Sequence, residues 1–224
     1  MRKFFSGFKT ASVAFSGGAD STCVLMLAIE FLGAENVTAY TCANSHIFRY
    51  EIENAAVICD RLGVKHVMFQ ADMPPEFFTD KETRCYHCKR AILNKIKELS
   101  DADVILDGTN ADDNPDDRPG YRALKETETV SPLKELGLGK AFSLRTVSEL
   151  GIEFHDESCK ASRLITIDEG SMYEVEAAED CLRHRYKGIR YRRDENRVVF
   201  KHPAVLREDD FQTIKNIIKD TMGF

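Results

Sequence analysis

The segment that most constrains the fold is a run of small residues near the N-terminus, Ser16-Gly17-Gly18-Ala19-Asp20-Ser21. It follows an apolar stretch, 11–15, that is typical of a buried strand, and it precedes an apolar stretch, 22–32, that predicts a helix ended by Gly33. Glycines between a strand and a helix let the backbone approach an anion, and the helix N-terminus attracts negative charge. The sequence therefore predicts a phosphate site, with the candidate ligands Ser16, Gly17, Gly18, Asp20, Ser21 and Thr22.

This turn is not one of the two most common phosphate-binding loops. It lacks the lysine that precedes Ser or Thr in a Walker motif, and it lacks the third glycine of the dinucleotide-binding fingerprint. The pattern Ser-Gly-Gly-x-Asp-Ser after a strand instead resembles the PP-loop of the N-type ATP pyrophosphatases. That resemblance implies a chain that binds ATP, transfers AMP to an oxygen of its substrate and releases pyrophosphate. The alternative is a Ser/Gly turn that binds no ligand.

Predicted strands and helices alternate along the first two thirds of the chain. This alternation predicts an α/β fold with a doubly wound parallel sheet and helices on both faces, and the resemblance makes it an adenine nucleotide alpha hydrolase-like fold. The predicted strands are 36–42, 65–69 and 104–107, with 130–133 as a last strand or a turn. The predicted helices are 51–62, 90–99 and 140–150, and the segments 71–84 and 114–123 are predicted loops.

Nucleotides bind at the carboxyl ends of the strands in such a sheet. Thr41 and Cys42 at the end of the second predicted strand, and Gly108 and Asn110 after the fourth, are therefore further candidate ATP ligands. In the resembling family the loop after the second strand contacts the adenine largely through backbone atoms.

The character of the sequence changes at about residue 166. A charged helix at 172–186, two short strands at 189–193 and 197–200, and an amphipathic helix at 208–222 are predicted there. We therefore predict an ATP-binding domain, 1–165, and a small C-terminal α/β subdomain, 166–224, that binds substrate or mediates oligomerisation.

Composition limits the class of protein. Hydrophobic residues make up 43% of the 224, which allows a substantial core, and no apolar run approaches the length of a membrane span. The net charge of −6 argues against broad contact with nucleic acid. The seven cysteines are an odd number scattered over an α/β pattern, which indicates reduced thiols rather than a disulfide scaffold. These features predict a soluble cytoplasmic protein with no membrane partner.

Further motifs make the resemblance sharper. They look like those of the LarE-type family, the ATP-dependent sulfurtransferases that act on pyridinium-3,5-biscarboxylic acid mononucleotide in the synthesis of the nickel-pincer nucleotide cofactor. The resemblance implies that a substrate carboxylate becomes an acyl-adenylate and that sulfur then displaces AMP. It also implies a homo-oligomer, because members of the family form hexamers. The matching residues are Arg84-Cys85-Tyr86-His87-Cys88-Lys89, 107–113, 118–120 with Ala123 and Glu126, Ser131-Pro132-Leu133, Gly137-Leu138-Gly139-Lys140 and Cys159-Lys160-Ala161-Ser162-Arg163.

The adenylation chemistry requires Mg²⁺ to neutralise the phosphates, and this ion prefers oxygen ligands. Asp20 is the first candidate ligand and Asp112 the second. The substrate, a small nucleotide, needs cations for its phosphate, and Arg190 and Arg192 would share one face of a strand. A solvated basic strand is the alternative. The resemblance assigns the substrate phosphate to Ser162, Arg163, Arg190 and Arg192.

Three cysteines are candidates for sulfur delivery, Cys85, Cys88 and Cys159. A zinc site would normally need a fourth ligand. A [4Fe–4S] cluster on three thiolates has one open iron, where sulfide from a sulfur donor could bind. Some LarE-type enzymes resemble this cluster design. In other members the cysteine matching Cys159 is itself the sacrificial sulfur donor. A redox pair or three idle thiols are the remaining alternatives, and the other cysteines are interpreted as core thiols, Cys23, Cys42, Cys59 and Cys181.

Other functions stay open at this level. The basic run 183–193 would suit a PP-loop enzyme that thiolates tRNA, although no appended RNA-binding module is present and the net charge is negative. An iron–sulfur desulfurase would not need ATP, and a regulatory protein would bind ATP without cleaving it. The chain departs from the LarE-type pattern at His155-Asp156-Glu157-Ser158, where a Lys-Pro-Ala stretch is usual. It is also shorter than the usual member of the family. Both differences bear on the identity of the substrate more than on the adenylation step.

Overall fold

A computed structural model describes residues 1–114, 119–152, 154, 158–201 and 206–222. The chain forms two compact units: Met1–Asn44 with Arg49–Asp156, and Ser45–Phe48 with Glu157–Phe224. Compact units defined by contacts need not be domains that fold alone, so the predicted division at residue 165 stays a prediction.

The first unit contains a parallel sheet, which confirms the predicted fold class. Within its described residues, four strands pair in the order β3-β2-β1-β4, with every pairing parallel. Val130 extends this edge through an isolated parallel bridge to Leu106, so the predicted strand at 130–133 is reduced to one residue. The strands are β1 (Ala11–Ala14), β2 (Val37–Cys42), β3 (Lys65–Phe69) and β4 (Val104–Leu106).

Helices and 3₁₀ turns surround this sheet. Gly33 ends the helix at Ala19–Leu32 with φ 88°, and Gly151 ends the 3₁₀ turn at Ser148–Leu150 with φ 59°. Residues other than glycine rarely adopt such a backbone conformation. The helices are α1 (Arg2–Phe5), α2 (Ala19–Leu32), α3 (Arg49–Leu62), α4 (Pro75–Thr79), α5 (Arg84–Leu99), α6 (Tyr121–Glu126), α7 (Pro132–Glu135) and α8 (Lys140–Val147), and the 3₁₀ turns are Ala34–Asn36 and Ser148–Leu150.

Three sequence-based boundaries in this unit were wrong. The predicted loops at 71–84 and 114–123 contain α4 and the beginning of α6, and α5 begins at Arg84 instead of residue 90. The early start of α5 has a local cause. The carboxylate of Asp80 accepts hydrogen bonds from the backbone N–H groups of Glu82 and Thr83, and its carbonyl accepts one from Arg84. These bonds satisfy amides that a helix N-terminus otherwise leaves unpaired.

The second unit has the predicted helix, hairpin and helix. Its elements are a 3₁₀ turn at Lys160–Arg163, α9 (Glu169–Arg183), β5 (Ile189–Arg192), a 3₁₀ turn at Arg193–Glu195, β6 (Arg197–Phe200) and α10 (Glu208–Met222). The strands are antiparallel, and Leu182, Tyr186, Ile189 and Ile214 form the core. The first helix starts three residues before its predicted position because Asp168 accepts a hydrogen bond from the Ser171 N–H at 2.8 Å.

None of the helices in the described part of the chain has the length and apolar character that a membrane span needs.

Candidate active site

The predicted phosphate loop, residues 16–22, consists of a tight turn after β1 and the first residues of α2. Gly17 has φ 75°, and a Cβ at this position would lie 3.2 Å from the Cα and Cβ of Ala55 in α3. The hydroxyls of Ser16 and Ser21 are 3.0 Å apart, and Ser21 also donates to the Gly18 carbonyl at 3.1 Å. The loop is thus shaped by steric contact with α3 and by its own serines, and the conformation requires glycine at position 17.

The N-terminus of α2 points its amides into this loop. Gly18 is the N-cap, and no side chain of the described residues caps the helix there. N–H groups without a side-chain cap and the positive end of the helix dipole together suit a phosphate group. Thr22, by contrast, is fully buried, so its side chain belongs to the packing of the helix and its backbone is the part available near the loop.

The segment after β4 approaches the same loop very closely. A Cβ on Gly108 would lie 2.7 Å from the Ser21 nitrogen and 3.0 Å from its Cα. The side-chain oxygen of Asn110 accepts a hydrogen bond from the Asp112 backbone N–H at 2.9 Å, and the Asn110 backbone N–H donates to the Asp113 carboxylate at 3.1 Å. The structure therefore brings residues 108–112 together with the loop at 16–22, as expected for the carboxyl edge of a parallel sheet.

Asp20, the first magnesium candidate, is paired with a lysine that the sequence interpretation did not single out. Its Oδ2 lies 2.8 Å from the Lys140 Nζ, while its Oδ1 is buried without a hydrogen-bond partner in the part of the chain that the structure describes. Lys140 starts α8, and its backbone N–H donates to Asp112 at 2.7 Å. A Cβ added at Gly139 would lie 2.4 Å from the Asp112 Oδ2, so a larger residue there would displace this carboxylate. The motif Gly-Leu-Gly-Lys was the available signal for Lys140.

A second lysine, Lys89 of α5, reaches the end of β4 with its ammonium group. The Lys89 Nζ is 2.7 Å from the Asp107 Oδ2, and Asp107 also accepts hydrogen bonds from Thr109 at 2.7 Å and Ser131 at 2.5 Å. Burial raises the pKa of Asp107, but the charge of Lys89 and the three hydrogen bonds outweigh it, so the pKa is lowered overall. The side chain of Lys89 remains one third exposed. Asp107 therefore holds a cation at the edge of the sheet that carries the loop.

The side chains at the end of β2 are buried and form hydrogen bonds with other residues of the protein. The Thr41 hydroxyl donates to the Phe15 carbonyl at 2.9 Å and lies 2.8 Å from the His66 Nε2. The thiol of Cys42 donates to Asn44 at 3.1 Å, and burial raises its pKa against the hydrogen bonds from Asn44 and Ala71. Any contact of Thr41 and Cys42 with a nucleotide would thus use backbone atoms, as expected from the resemblance.

The three candidate sulfur-site cysteines are divided between the units. Cys85, which is exposed, and Cys88, which is half-buried, lie three residues apart at the start of α5 in the first unit. Cys159, also half-buried, precedes the 3₁₀ turn in the second. The Cys-x-x-Cys spacing suits two thiolates on one metal or cluster. Among the described residues of either unit, no group of three His, Cys, Asp or Glu side chains is arranged to hold a metal ion.

The candidate phosphate ligands Ser162 and Arg163, next to Cys159, already have hydrogen-bond partners within the second unit. The Arg163 side chain has 0% exposure and pairs with Glu179 in α9 at 2.9 Å. The Ser162 hydroxyl donates to the Cys159 carbonyl at 2.8 Å and lies 2.9 Å from the hydroxyl of Ser158. The Arg163 guanidinium is therefore shielded from solvent, and the hydroxyl of the half-buried Ser162 is hydrogen-bonded within the loop.

Arg190 and Arg192 lie on one face of β5, as predicted, and both are half-buried. Burial lowers the pKa of the Arg192 guanidinium, and the positive charges of Arg163 and Arg190 lower it further. Repulsion among arginines is relieved by an anion, so this face favours a negatively charged group.

Two motif positions lie outside the described residues, Arg118 and the segment 155–157.

Comparison with known families matches residues 5–96 to the sequence model of NAD synthase. An uncharacterised protein of Synechocystis sp. is 33% identical over 88% of this chain and 77% of its own length. An uncharacterised protein of Methanocaldococcus jannaschii is 31% identical over 93% of this chain and 81% of its own length. The pyridinium-3,5-bisthiocarboxylic acid mononucleotide synthase of Lactiplantibacillus plantarum is 31% identical over 77% of this chain and 66% of its own length.

Proposed function

Since the chain belongs to the LarE-type family of PP-loop ATP pyrophosphatases, and is therefore an ATP-using enzyme, we propose that it converts a carboxylate of a pyridinium mononucleotide into a thiocarboxylate. In the first step a carboxylate oxygen attacks the α-phosphorus of ATP, the bond to the β-phosphate oxygen breaks, and pyrophosphate leaves. In the second step sulfide attacks the acyl carbon and AMP leaves. The relative from Lactiplantibacillus plantarum, named for a bisthiocarboxylic acid mononucleotide, supports this choice of substrate.

The observation that carries the ATP half of the proposal is the close approach of Gly108 to the N-terminus of α2. With 2.7 Å between the Ser21 nitrogen and the position of a Cβ on Gly108, two backbone segments line one site without side chains between them. Such a surface suits the pyrophosphate part of ATP, since phosphate oxygens bind backbone N–H groups at a helix N-terminus. Lys140 adds a positive charge at the same loop.

Mg²⁺ fits the residues at this site. The buried Asp20 Oδ1 lacks a hydrogen-bond partner among the described residues, and a carboxylate oxygen of this kind is a ligand that the ion prefers. When bound, Mg²⁺ would neutralise the phosphate charge that develops as pyrophosphate leaves. The ion pair of Lys140 with Asp20 Oδ2 orients that carboxylate. Asp112 is the weaker candidate, because its Oδ2 already accepts the Lys140 N–H.

Lys89 supplies a further fixed cation at the edge of the sheet. Its ion pair with the buried Asp107, at 2.7 Å, holds the ammonium group in position. A preorganised positive charge stabilises negative charge that grows in a transition state more than a mobile one does. We propose that Lys89 stabilises the negative charge on the α-phosphate or on the attacking carboxylate.

For the sulfur step we propose that Cys85, Cys88 and Cys159 hold a [4Fe–4S] cluster. The support is chemical: two partly exposed thiols stand at Cys-x-x-Cys spacing, and a third follows in the motif Cys-Lys-Ala-Ser-Arg. When bound, a cluster with three thiolates supplies an open iron that can carry sulfide. The face of β5 with Arg190 and Arg192 is the proposed site for the substrate phosphate.

The first test is pyrophosphate release from ATP by the full chain with pyridinium-3,5-biscarboxylic acid mononucleotide. We expect release only when the nucleotide is present, and Asp20→Ala should abolish it. Asp101→Ala, an exposed acidic position in the same unit, is the matched control. Bound ATP that is never cleaved would contradict the proposal in favour of a regulatory protein, and release that requires tRNA would favour a tRNA-thiolating enzyme.

The second test is iron and acid-labile sulfide analysis after anaerobic purification. Roughly four irons per chain would support the cluster, and Cys88→Ser should lose them. Iron-free protein that loses one thiol per turnover would instead identify Cys159 as a sacrificial sulfur donor. Iron content unaffected by Cys88→Ser would contradict the three-thiolate site.

A further inference from the structure

We propose that Arg163 is a positioning residue that fixes the loop carrying Cys159, and that it does not bind the substrate phosphate. The proposal rests on the proposed function, in which Cys159 takes part in sulfur transfer. It concerns residues of the second unit only.

The guanidinium of Arg163 is the hydrogen-bond centre of this loop. Its Nη1 donates to the carbonyl and the hydroxyl of Ser158, each at 2.6 Å, and to the Ser162 hydroxyl at 2.8 Å. The Cys159 carbonyl lies 3.4 Å from the same nitrogen. Residues on both sides of the cysteine are therefore bound by one buried group.

The other edge of the guanidinium is anchored to α9. The Arg163 Nε and Nη2 donate to the two carboxylate oxygens of Glu179 at 2.9 and 3.2 Å, and the two side chains have 0% and 3% exposure. Glu179 also accepts the Tyr191 N–H at 2.8 Å. This bidentate pair connects the loop, α9 and β5 through a planar fork that lysine cannot reproduce.

Lys160, the residue directly after the cysteine, is anchored as well. Its backbone N–H donates to the His46 carbonyl at 2.9 Å, and its buried ammonium lies 2.8 Å from Glu176 of α9. The ring of Phe48 packs under both cations, 5.7 Å from the Lys160 Nζ and 5.4 Å from the Arg163 guanidinium carbon. Cys159 thus lies between two residues that form ion pairs with the same helix, one pair fully buried and the other partly exposed at Glu176.

These contacts argue against Arg163 as a ligand of the substrate phosphate. A phosphate that bound the Nη1 edge of Arg163 would displace its hydrogen bonds to Ser158 and Ser162. A phosphate that bound the Nε edge would leave Glu179 without its buried ion-pair partner, which is strongly unfavourable. Arg190 and Arg192 lie on the half-buried face of β5, where Arg192 also donates to the Ser162 carbonyl, and they remain the proposed cations for the phosphate group.

The test compares Arg163→Lys and Glu179→Gln with Arg183→Lys as the matched control. Arg183 lies over the same Phe48 ring but pairs with Asp180, outside the loop. The readout is the rate of iodoacetamide alkylation at Cys159, measured by peptide mass spectrometry on the full chain purified without added iron. The exposed Cys181 of α9 is the internal reference for folding of the unit.

We expect Arg163→Lys and Glu179→Gln each to raise the Cys159 alkylation rate at least fivefold. The double variant should do no more than either single one, and the Cys181 rate should stay unchanged. In turnover, both variants should lower kcat for the thiolated product with KM for the pyridinium nucleotide within twofold. Arg183→Lys should leave both readouts unchanged.

An unchanged Cys159 rate, together with a KM for the pyridinium nucleotide that rises tenfold in Arg163→Lys, would overturn the proposal. If Arg163→Lys fails to fold, Glu179→Gln decides alone: it retains Arg163, so a phosphate ligand predicts an unchanged Cys159 rate and a positioning residue predicts a faster one. Alkylation requires no catalysis. Full activity of Cys159→Ser would therefore contradict the proposed function without touching this result.

Discussion

Replacing Gly108 by alanine tests whether the backbone contact between the β4 loop and α2 forms the ATP site. The added Cβ would lie 2.7 Å from the Ser21 nitrogen, whereas ordinary contact begins at 3.4 Å. The two segments must therefore separate by the difference, 0.7 Å. The neighbouring atoms are backbone, so no flexible side chain can move aside.

The size of the effect follows from this displacement. Inserting a methyl group into a close-packed contact costs about 1–3 kcal/mol, and each 1.4 kcal/mol is a tenfold change in a binding constant. The separation widens the site in which the phosphates bind. We therefore expect this cost to appear in the free energy of ATP binding. The affinity for ATP should fall roughly fivefold to 150-fold.

The assay is calorimetric titration of the full chain with Mg²⁺ and an ATP analogue that has a non-cleavable α,β-methylene bond. Gly7→Ala is the matched control, since its Cβ would meet only the Phe4 carbonyl oxygen, at 3.9 Å. A folded Gly108→Ala variant that binds the analogue within twofold of the parent would refute the reasoning, because the close approach would then have no part in ATP binding.

Two further predictions concern charged groups. Lys140→Gln should raise KM for ATP at least tenfold in the pyrophosphate assay, because it removes the cation that is 2.8 Å from Asp20; Lys97→Gln, at an exposed ion pair, is the control, and equal KM values would exclude Lys140 from the site. Burial, and secondly the charge of Lys160, lower the pKa of His46 to about 4. The unfolded chain therefore takes up the proton first as pH falls, and up to about 3 kcal/mol of stability should be lost between pH 6.5 and 4; urea unfolding of His46→Gln should show a flatter pH dependence, and identical profiles would contradict it.

Local patterns were sufficient for the parallel sheet and the loop. Short apolar runs separated by helical periods predicted β1 to β4, and the spacing of two glycines before Asp20 predicted the turn that the structure contains. These features depend on neighbours in sequence, since a glycine-rich turn and a helix N-terminus are built from consecutive residues. The start of α5 was missed because its N-terminal amides are satisfied by Asp80, which belongs to a segment without helical periodicity.

The amino-acid sequence alone determined the fold class, the phosphate loop and the residue types available for adenylation and sulfur chemistry. Only the tertiary structure decided which partner each charged residue has. Asp20 and Lys140 are 120 positions apart in the chain, and Arg163 reaches Glu179 only because α9 packs on its turn. An arginine in a motif looks the same whether it faces solvent or a buried carboxylate. Its function depends on burial and on the position of the opposite charge, and both arise from packing between elements that are distant in the sequence.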